Sequence, residues 1–515
     1  MMMSQLALSR FSLNDAGLDN EFDLLLGAPV FVFLCFVYFG QTWLLLEPAH
    51  WCRSPELDAL GFGPRQARRL SVPPDEHGGY DQCLIYDVNF TLLVSSGNWS
   101  GLGPGTPTTS CRHGWHFDFG TLYPTAVSEF GWVCENAWLK PFVSSMFFVG
   151  AVIGTMVFGY LADRFGRLPA LVSANLLGCC AGLLTAAASG PASFALGRLL
   201  AGATYDQQCV LALVLLSESV GARYRTLVIN VPMATSFMLA AVCLPWLASG
   251  LAHWRTLALV TGAPMAGAAL YAYTVPESAR WLLRRLAAEN GRFVPDAVFA
   301  AFEERARRRA AQQRQSASVA ELFRRPALRG RTLVLMFTTM AMMLSFDSSV
   351  RNTNFDIDMR VAASVLSLME LRATFSGALL MAALSSLMLG LTLHARTLPT
   401  VSTTFAMLNR LFATVAANIC WQVGIELTPT QVRSQGCGLI HVAGHAVAFF
   451  SPYILHLHRQ MRGLPQLLLS AFGLLQAQVR FADDSSDSLN VLEPSQRGAA
   501  GAAPGVGLPA NLATR

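Results

Sequence analysis

Apolar runs of about twenty residues recur along this chain and limit the folds that it can adopt. A helix needs a run of that length to cross about 30 Å of hydrocarbon. Of the 515 residues, 53% are hydrophobic and 13% are charged, and this charged fraction is about half that of a soluble domain. These features predict one all-α membrane bundle rather than several soluble domains. In the first half of the chain, the predicted spans are 23–46, 139–161, 168–188, 192–216, 227–250 and 254–275.

The second half is less regular. Spans are predicted at 332–347, 401–425 and 436–457, whereas 361–393 is too long for one straight helix and too short for two. The last apolar run, 463–475, is shorter than a usual span. The predicted division is a cytoplasmic amino terminus (1–22), a first helix (23–46), a large extracellular loop (47–137), helices two to six (138–279), a cytoplasmic central loop (280–331), the helices of the second half (332–480) and a disordered tail (481–515).

The polar stretch after the first span has the marks of an extracellular loop. It holds two N-glycosylation sequons, which begin at Asn89 and Asn98. Glycosylation and disulfides both require a lumenal or extracellular face. Four cysteines in the same loop predict two disulfides, whose pairing the sequence leaves open. These cysteines are Cys52, Cys83, Cys111 and Cys134.

The central loop, residues 280–331, is dense in arginine, and the positive-inside rule places it in the cytoplasm. Six predicted helices separate it from the amino terminus, so both lie on the side opposite the glycosylated loop. We interpret its arginines as a solvated loop rather than a nucleic-acid site.

A charged hairpin, G-Y-L-A-D-R-F-G-R, joins the second and third spans at residues 159–167. Gly159 would permit close helix approach there. Asp163, Arg164 and Arg167 could form ion pairs across the bundle where water reaches them. Between two bilayer-length runs, this string resembles the cytoplasmic hairpin of the major facilitator superfamily. The resemblance implies a bundle of two parallel six-helix halves.

An internal sequence repeat supports two such halves. Glu218 and Arg225 follow the fourth span, and Glu426 and Arg433 follow the third clear span of the second half. Both pairs show Glu-x6-Arg at a helix end, with an apolar run after it. We interpret the two strings as equivalent points of a repeat.

Further strings narrow the resemblance. They are P-A-H-W-C at 48–52, Y-D-V-N-F-T at 86–91, S-E-F-G-W-V-C at 128–134, P-E-S-A-R-W at 276–281 and the string 426–433. With the hairpin they resemble solute carrier family 22, the organic cation, anion and carnitine transporters, and most of all its arthropod branch. The resemblance extends over about residues 24–460.

The second half departs from that family. Its second hairpin, D-R-x-G-R-R, is absent, and only Arg372 stands near the expected place, so the chain is about twenty residues short there. Leu168 replaces the usual basic residue after the first hairpin, and the P-E-T string after helix twelve is missing. We therefore predict a shortened second half, which results either from divergence or, as we favour, from an exon left out of the sequence.

Ionisable residues within the spans are candidates for the substrate site, since each costs about 2.5–3.5 kcal/mol on insertion scales. Asp206 lies in the fourth span among the polar residues Tyr205, Gln207 and Gln208. It indicates either a substrate contact, favouring a cation or zwitterion, or a structural pair with an arginine such as Arg198. The resemblance implies that Glu370 matches a helix-eight glutamate at the family's cation site.

The resemblance also implies roles for residues in helices seven and eleven. Phe346 lies where an aromatic residue faces the substrate, although packing into the core is the alternative, and Thr339 replaces another cavity aromatic. At His445, cation carriers have aspartate and anion carriers arginine. A histidine there either selects the substrate with a pH-sensitive charge or is a neutral core residue. His441, one turn earlier, could share the cavity, and we reject a metal site because no third ligand is evident.

Nine charged residues are predicted to form a cytoplasmic gate. By resemblance they pair across the two halves when the cytoplasmic side is closed, whereas the alternative is that the arginines only satisfy the positive-inside rule. They are Asp163, Arg164, Arg167, Glu218, Arg225, Glu277, Arg280, Glu426 and Arg433.

The sequence therefore predicts a monomeric, multi-pass transporter of the plasma membrane that carries small organic cations or zwitterions by alternating access. Organic anions are the runner-up substrates, because Arg198 and Arg410 also lie within predicted spans. A non-transporting, receptor-like relative is the other alternative, favoured by the shortened second half. We find no nucleophile elbow, phosphate loop or zinc constellation, and we expect no enzyme activity, cofactor, metal or nucleic-acid partner.

Overall fold

The computed structural model of the chain describes residues 19–74, 79–96, 105–120, 122–219, 225–270, 323, 326–351, 375–394, 401–410, 412, 413, 416, 420, 433–457, 461 and 463–476. Long helices make up most of this part of the chain. In chain order they are α1 (Asp19–Leu44), α2 (Leu139–Phe165), α3 (Arg167–Ala186), α4 (Pro191–Ser219), α5 (Arg225–Leu251), α6 (Trp254–Gly262), α7 (Pro326–Arg351), α8 (Phe375–His394), α9 (401–410), α10 (Arg433–Ala448) and α11 (Leu464–Gln476). A 3-10 helix, Ala263–Leu270, continues α6, and a short helix, Ser451–His456, follows α10.

The first five spans predicted in the first half are helices whose bounds lie within four residues of the prediction. The sixth, 254–275, is α6 with its 3-10 continuation to Leu270, and residues 271–275 lie outside the described residues. Gly166 has a φ of +108° and joins α2 to α3 with a single residue between them. A residue with a side chain rarely adopts this backbone conformation, and the glycine therefore fixes the sharp hairpin. The close helix approach expected at Gly159 is not found there, because nothing among the described residues lies within 4 Å of its Cβ position.

Close approach occurs instead between α2 and α4. Added Cβ atoms at Gly150, Gly154 and Gly202 would come within 2 Å of backbone oxygens on the facing helix. Small residues let two helix backbones touch, which is how helices commonly associate in membranes. The α2–α4 contact is the most extensive helix pair among the described residues.

The two halves share a packing order. In the first half α1 packs against α5 and α3 against α6, whereas in the second α7 packs against α10. In addition, α8 packs against α11, where Gly390 meets Leu467 and Ser386 donates a hydrogen bond to the Gln466 carbonyl oxygen at 3.0 Å. Since α8 packs against α11 as α3 packs against α6, α8 corresponds to the third helix of the first half. The preceding stretch, residues 352–374, lies outside the described residues.

The region between α1 and α2 folds as a small disulfide-bonded cap. Two antiparallel strand pairs form it: β1 (His50–Cys52) with β4 (Trp115–Phe117), and β2 (Leu84–Tyr86) with β3 (Thr108–Ser110). Disulfides join Cys52 to Cys111 and Cys83 to Cys134, which supplies the pairing that the sequence left open. Four short helices accompany the strands: Pro55–Ala59, Pro64–Ser71, Phe90–Ser96 and Ala126–Phe130.

Hydrogen bonds connect this cap to the helical bundle. The Glu129 carboxylate accepts hydrogen bonds from Trp254 Nε1 at 2.6 Å and from the Arg255 guanidinium, and Arg255 Nη1 also donates to the Ala186 carbonyl oxygen. Burial alone would raise the pKa of Glu129, but the hydrogen bonds from Arg255 and Trp254 outweigh it, so the pKa is lowered. The cap is thereby tied to the ends of α3 and α6.

Four helical stretches among the described residues are long and apolar enough to cross a bilayer. They are Cys134–Ala162, Arg167–Ala186, Thr332–Arg351 and Gly438–His456. The main buried apolar cluster lies mostly in the helices of the first half and the cap, and it extends to α7 and α10 of the second half.

Candidate functional site

The middle of α4 carries the polar stretch that sequence analysis selected. Asp206 is 3% exposed and lies halfway along the helix. The close contact of α2 with α4 brings Thr155 to it, and the Thr155 hydroxyl donates a hydrogen bond to Asp206 Oδ2 at 3.3 Å. The carboxylate is thus held at mid-depth of the bundle, away from water.

The other partners of Asp206 come from the opposite half. His441 Nδ1 lies 3.8 Å from Asp206 Oδ2, and His445 Nε2 lies 3.7 Å from Asp206 Oδ1. Both histidines lie on α10, one turn apart, so one helix face presents both imidazoles to the carboxylate. We call these three residues the Asp–His cluster. It bridges the two halves and combines three residues that the sequence had selected separately.

His445 is 3% exposed, and neither of its ring nitrogens has a hydrogen-bond partner among the described residues. The distance to Asp206 is longer than a hydrogen bond, so it represents a charge contact rather than a locked pair. The Phe148 ring stacks on the imidazole, with centroids 6.4 Å apart. Unpartnered buried nitrogens are costly, which makes His445 a candidate for contact with a ligand or water.

Aromatic rings from both halves gather next to the Asp–His cluster. Tyr38 of α1 stacks on Tyr205, the neighbour of Asp206, with centroids 4.9 Å apart. On its other side it lies nearly parallel to Phe346, at 6.3 Å, and it also contacts Phe147 at 6.1 Å. Phe346, predicted from the sequence, therefore lies in this aromatic cluster and is buried.

A second buried carboxylate lies beside these rings. The Tyr38 hydroxyl donates to Asp347 Oδ1 at 3.0 Å, and Arg351 Nε donates to Asp347 Oδ2 at 2.7 Å. The Arg351 guanidinium lies 5.2 Å above the Phe148 ring. Sequence analysis missed Asp347, although the criterion that selected Asp206, an ionisable residue within an apolar run, applies equally to it.

Arg198 has a different partner from the one considered from the sequence. Its Nη2 donates to Thr185 Oγ1 on α3 at 2.9 Å, and its guanidinium lies 5.7 Å above the Phe194 ring. Asp206 lies two turns away and contacts the histidines instead, so the Asp206–Arg198 pair, one of the two alternatives for Asp206, is not formed. The side chain of Arg198 is buried, and its Nε has no partner among the described residues.

Most of the predicted gate cannot be compared with the structure. Glu277, Arg280 and Glu426 lie outside the described residues, as do Glu370 and Asn98, and the side chains of Asp163, Glu218, Arg225 and Arg433 are likewise outside them. Arg164 is exposed, and its Nη1 donates to the Tyr160 hydroxyl at 2.7 Å. Arg167 is the first residue of α3. Pairing across the halves at these residues stays a prediction.

In the cap, Asn89 is exposed and precedes the helix Phe90–Ser96. Its Oδ1 accepts a hydrogen bond from the Leu92 amide at 3.0 Å. One trio of donor atoms converges closely enough for a metal among the described residues, namely His50, Cys83 and Cys134, and its two cysteines form a disulfide.

Comparison with known proteins identifies the family of this chain. Solute carrier family 22 member 1 of Sus scrofa is 30% identical over 488 residues, which cover 85% of this chain and 85% of that protein. The chain belongs to solute carrier family 22. Its relative in Oryctolagus cuniculus, member 1, is 29% identical over 498 residues, with 86% of this chain and 87% of that protein covered. Member 13 of Homo sapiens is 27% identical over 478 residues, which cover 85% and 83% respectively.

Two further comparisons reach beyond this family. The family described as "Sugar (and other) transporter" matches residues 114–351. The proton:xylose symporter XylE of the major facilitator superfamily, bound to 6-bromo-6-deoxy-D-glucose, gives a TM-score of 0.52 at 16% identity over 68% of this chain and 87% of that chain. A partially occluded inward open structure of XylE from E. coli gives 0.51 at 16% identity over 68% and 88%.

The XylE likeness concerns the fold alone, and it confirms the predicted all-α bundle. As a member of solute carrier family 22, the protein is a multi-pass membrane transporter and not an enzyme. The arthropod branch stays a prediction.

Proposed function

We propose that this solute carrier 22 protein moves small organic cations or zwitterions across the plasma membrane by alternating access, with Asp206 as the residue that binds the positive charge. The observation that carries the proposal is a fully buried carboxylate between the two halves. Its ion-pair partners among the described residues are the imidazoles of His441 and His445, and no arginine or lysine is among them.

The energetics of burial favour a cationic substrate. An isolated carboxylate in a low-dielectric interior costs several kcal/mol unless a positive group neutralises it. An organic ammonium supplies that charge, and its apolar substituents suit the rings of Phe148, Tyr205 and Tyr38. Contact of a cation with an aromatic face contributes about 0.5–2 kcal/mol. The arrangement therefore supports recognition of a substrate with a positive centre and an apolar surface.

Contacts between the halves support an alternating route. The Ser145 hydroxyl on α2 donates to the Phe449 carbonyl oxygen at 2.7 Å, and the Tyr38–Asp347 hydrogen bond joins α1 to α7. Both lie toward the cap, so in this arrangement the halves meet between the cap and Asp206. Opening toward the cap requires these contacts to break, while the predicted gate would then close the cytoplasmic end.

Uptake in cells that express the full chain tests the proposal. Labelled tetraethylammonium should accumulate above the level of untransfected cells, whereas labelled para-aminohippurate should not. Asp206→Asn removes the charge at almost constant volume and should abolish uptake at unchanged surface expression. Asp87→Asn makes the same change at an exposed position of the cap and should leave uptake intact. Tetraethylammonium uptake that survives Asp206→Asn would contradict the assignment.

Organic anions are a second candidate class, because two buried guanidiniums stand near the site. Arg198 Nε and Arg351 Nη2 have no partner among the described residues. Uptake of para-aminohippurate alone would favour this class. A chain that reaches the surface and carries neither probe would favour the non-transporting, receptor-like alternative.

A further inference from the structure

Three side chains of the cap converge on one point. The donor atoms of His50, Cys83 and Cys134 all lie within 4.8 Å of one another, and a disulfide joins the two cysteines. They come from distant parts of the cap, since His50 begins β1, Cys83 precedes β2 and Cys134 lies just before α2. We propose that reduction of the Cys83–Cys134 disulfide turns this trio into a binding site for a soft divalent metal ion such as Zn²⁺. The site lies in the cap and does not depend on the transport function proposed above.

The surroundings of His50 direct one ring nitrogen toward the sulfurs. Its Nδ1 lies 3.1 Å from the Pro48 carbonyl oxygen, which can only accept, so Nδ1 carries a proton and donates it. In the neutral ring Nε2 then holds the lone pair, and it lies 3.8 Å from Cys134 Sγ. Metal-binding histidines commonly donate their second ring N–H to a backbone carbonyl in this way. His50 is also buried, so the packing of the cap holds the imidazole in this orientation.

The distances fit tetrahedral coordination. With Zn–S bonds of about 2.3 Å and Zn–N bonds of about 2.0–2.1 Å, a sulfur and a nitrogen on the same ion lie roughly 3.6 Å apart. The distance of 3.8 Å from His50 Nε2 to Cys134 Sγ is close to that value. Two thiolates on one zinc ion lie roughly 3.8 Å apart, a separation that a change of the Cys83 rotamer provides once the bond between the sulfurs is broken. Water or the Gln82 carbonyl oxygen, which lies 3.6 Å from Cys134 Sγ, completes the fourth position.

The reaction balances with a dithiol as the reductant. A thiolate of the dithiol attacks one sulfur of the Cys83–Cys134 bond, its second thiol then closes a cyclic disulfide, and both cysteines leave as thiols. Two electrons and two protons thus pass from the dithiol to the protein. The metal ion displaces both thiol protons to the medium, so that two thiolates neutralise its two positive charges. Thiolate and imidazole ligands favour zinc over magnesium and calcium, which prefer oxygen.

The position of the trio determines what a bound metal ion does. Cys83 and Cys134 are both half-buried, whereas Cys52 of the other disulfide is fully buried, so a reductant reaches both sulfurs of the trio. Cys134 also has a φ of +53°, a conformation that is rare for residues other than glycine and that concentrates at functional sites. When the disulfide is open, the metal ion joins β1 to the start of α2 and keeps the cap cross-linked.

Cobalt(II), whose thiolate complexes absorb light, is the probe for this site. The purified full chain is reduced with dithiothreitol, separated from it by gel filtration under nitrogen and titrated with Co²⁺. We expect thiolate-to-cobalt charge-transfer absorption that saturates at about one ion per protein and that disappears when Zn²⁺ is added, since zinc binds such ligands more tightly. Cys83→Ser/Cys134→Ser keeps the other cysteines and should lack this absorption. His50→Gln should weaken binding by at least about tenfold, whereas His113→Gln, at an exposed position of the cap, should leave it unchanged.

Alkylation of the wild type provides a readout that needs no variant. In the reduced protein, Zn²⁺ should protect Cys83 and Cys134 from iodoacetamide, as located by mass spectrometry, and leave the labelling of Cys111 unchanged. Full labelling of Cys83 and Cys134 in the presence of Zn²⁺ would overturn the proposal. The same cobalt absorption in Cys83→Ser/Cys134→Ser as in the wild type, or an unchanged affinity in His50→Gln, would also overturn it.

Discussion

The α2–α4 contact allows a prediction whose size follows from the structure. A Cβ atom at Gly154 would lie 1.8 Å from the Ala203 carbonyl oxygen, whereas ordinary contact begins at 3.4 Å. The two helices would have to separate by roughly 1.6 Å at this point, and overpacking of that kind costs about 1–3 kcal/mol or more. The next residue, Thr155, donates to Asp206, so the same displacement also disturbs the candidate site.

Gly154→Ala should therefore destabilise the protein, and Gly159→Ala on the same helix is its matched control. Nothing among the described residues lies within 4 Å of the Cβ position at Gly159. Both changes gain about 1 kcal/mol of helix propensity, so the difference between the variants isolates the clash.

Thermal unfolding of the purified full chain, followed by size-exclusion chromatography after heating, measures this difference. A change of 1 kcal/mol shifts Tm by about 2–4 °C in a domain of 150–250 residues. We expect the Tm of Gly154→Ala to lie several degrees below that of Gly159→Ala, and its tetraethylammonium uptake to fall. Equal Tm values would refute the inference that backbone contact at Gly154 holds α2 against α4.

Two further predictions concern the cap. The pKa of Glu129 is lowered in the folded protein, so its hydrogen bonds with Arg255 and Trp254 stabilise the fold above the ordinary carboxyl pKa, and this stability is lost as the pH falls through the lowered pKa. Glu129→Gln should therefore reduce Tm at neutral pH and make Tm less dependent on pH in the acid range. The same dependence of Tm on pH in the variant and the wild type would contradict this. Asn89→Gln should remove one glycan, seen as faster migration in gel electrophoresis, and glycosidase treatment, which removes every N-glycan, should make the variant and the wild type migrate alike. Unaltered migration of the untreated variant would show that Asn89 carries none.

The helices of the first half could be predicted because their signal is local. Each apolar run has the length of a span, and the bounds of α1 to α5 lie within four residues of those runs, whereas α6 ends at Gly262 and continues as a 3-10 helix to Leu270. The cysteine pairing could not be predicted, since it depends on how the strands of the cap meet. The sequence linked close helix approach to the hairpin at 159–167, whereas it did not indicate the close backbone approaches at Gly150 and Gly154.

The sequence indicated single residues of the candidate site, but it did not show which of them meet in the folded protein. Asp206 and His445 each stood out as polar residues within apolar runs, but 239 positions separate them, and only the packing of one half against the other shows that they meet. The sequence suggested Arg198 as the partner of Asp206 because it is near in the chain. Asp347 was overlooked at the end of a predicted span, although its local pattern resembles that of Asp206.

Direct binding tests the central claim, that a buried carboxylate between the two halves binds the positive charge of the substrate. Equilibrium binding of labelled tetraethylammonium to purified protein should be saturable in the wild type. In Asp206→Asn it should weaken by at least about a hundredfold, which corresponds to the loss of about 3 kcal/mol expected when one partner of a buried charge pair is removed. The same affinity in Asp206→Asn as in the wild type, with Asp87→Asn as the control, would contradict the account.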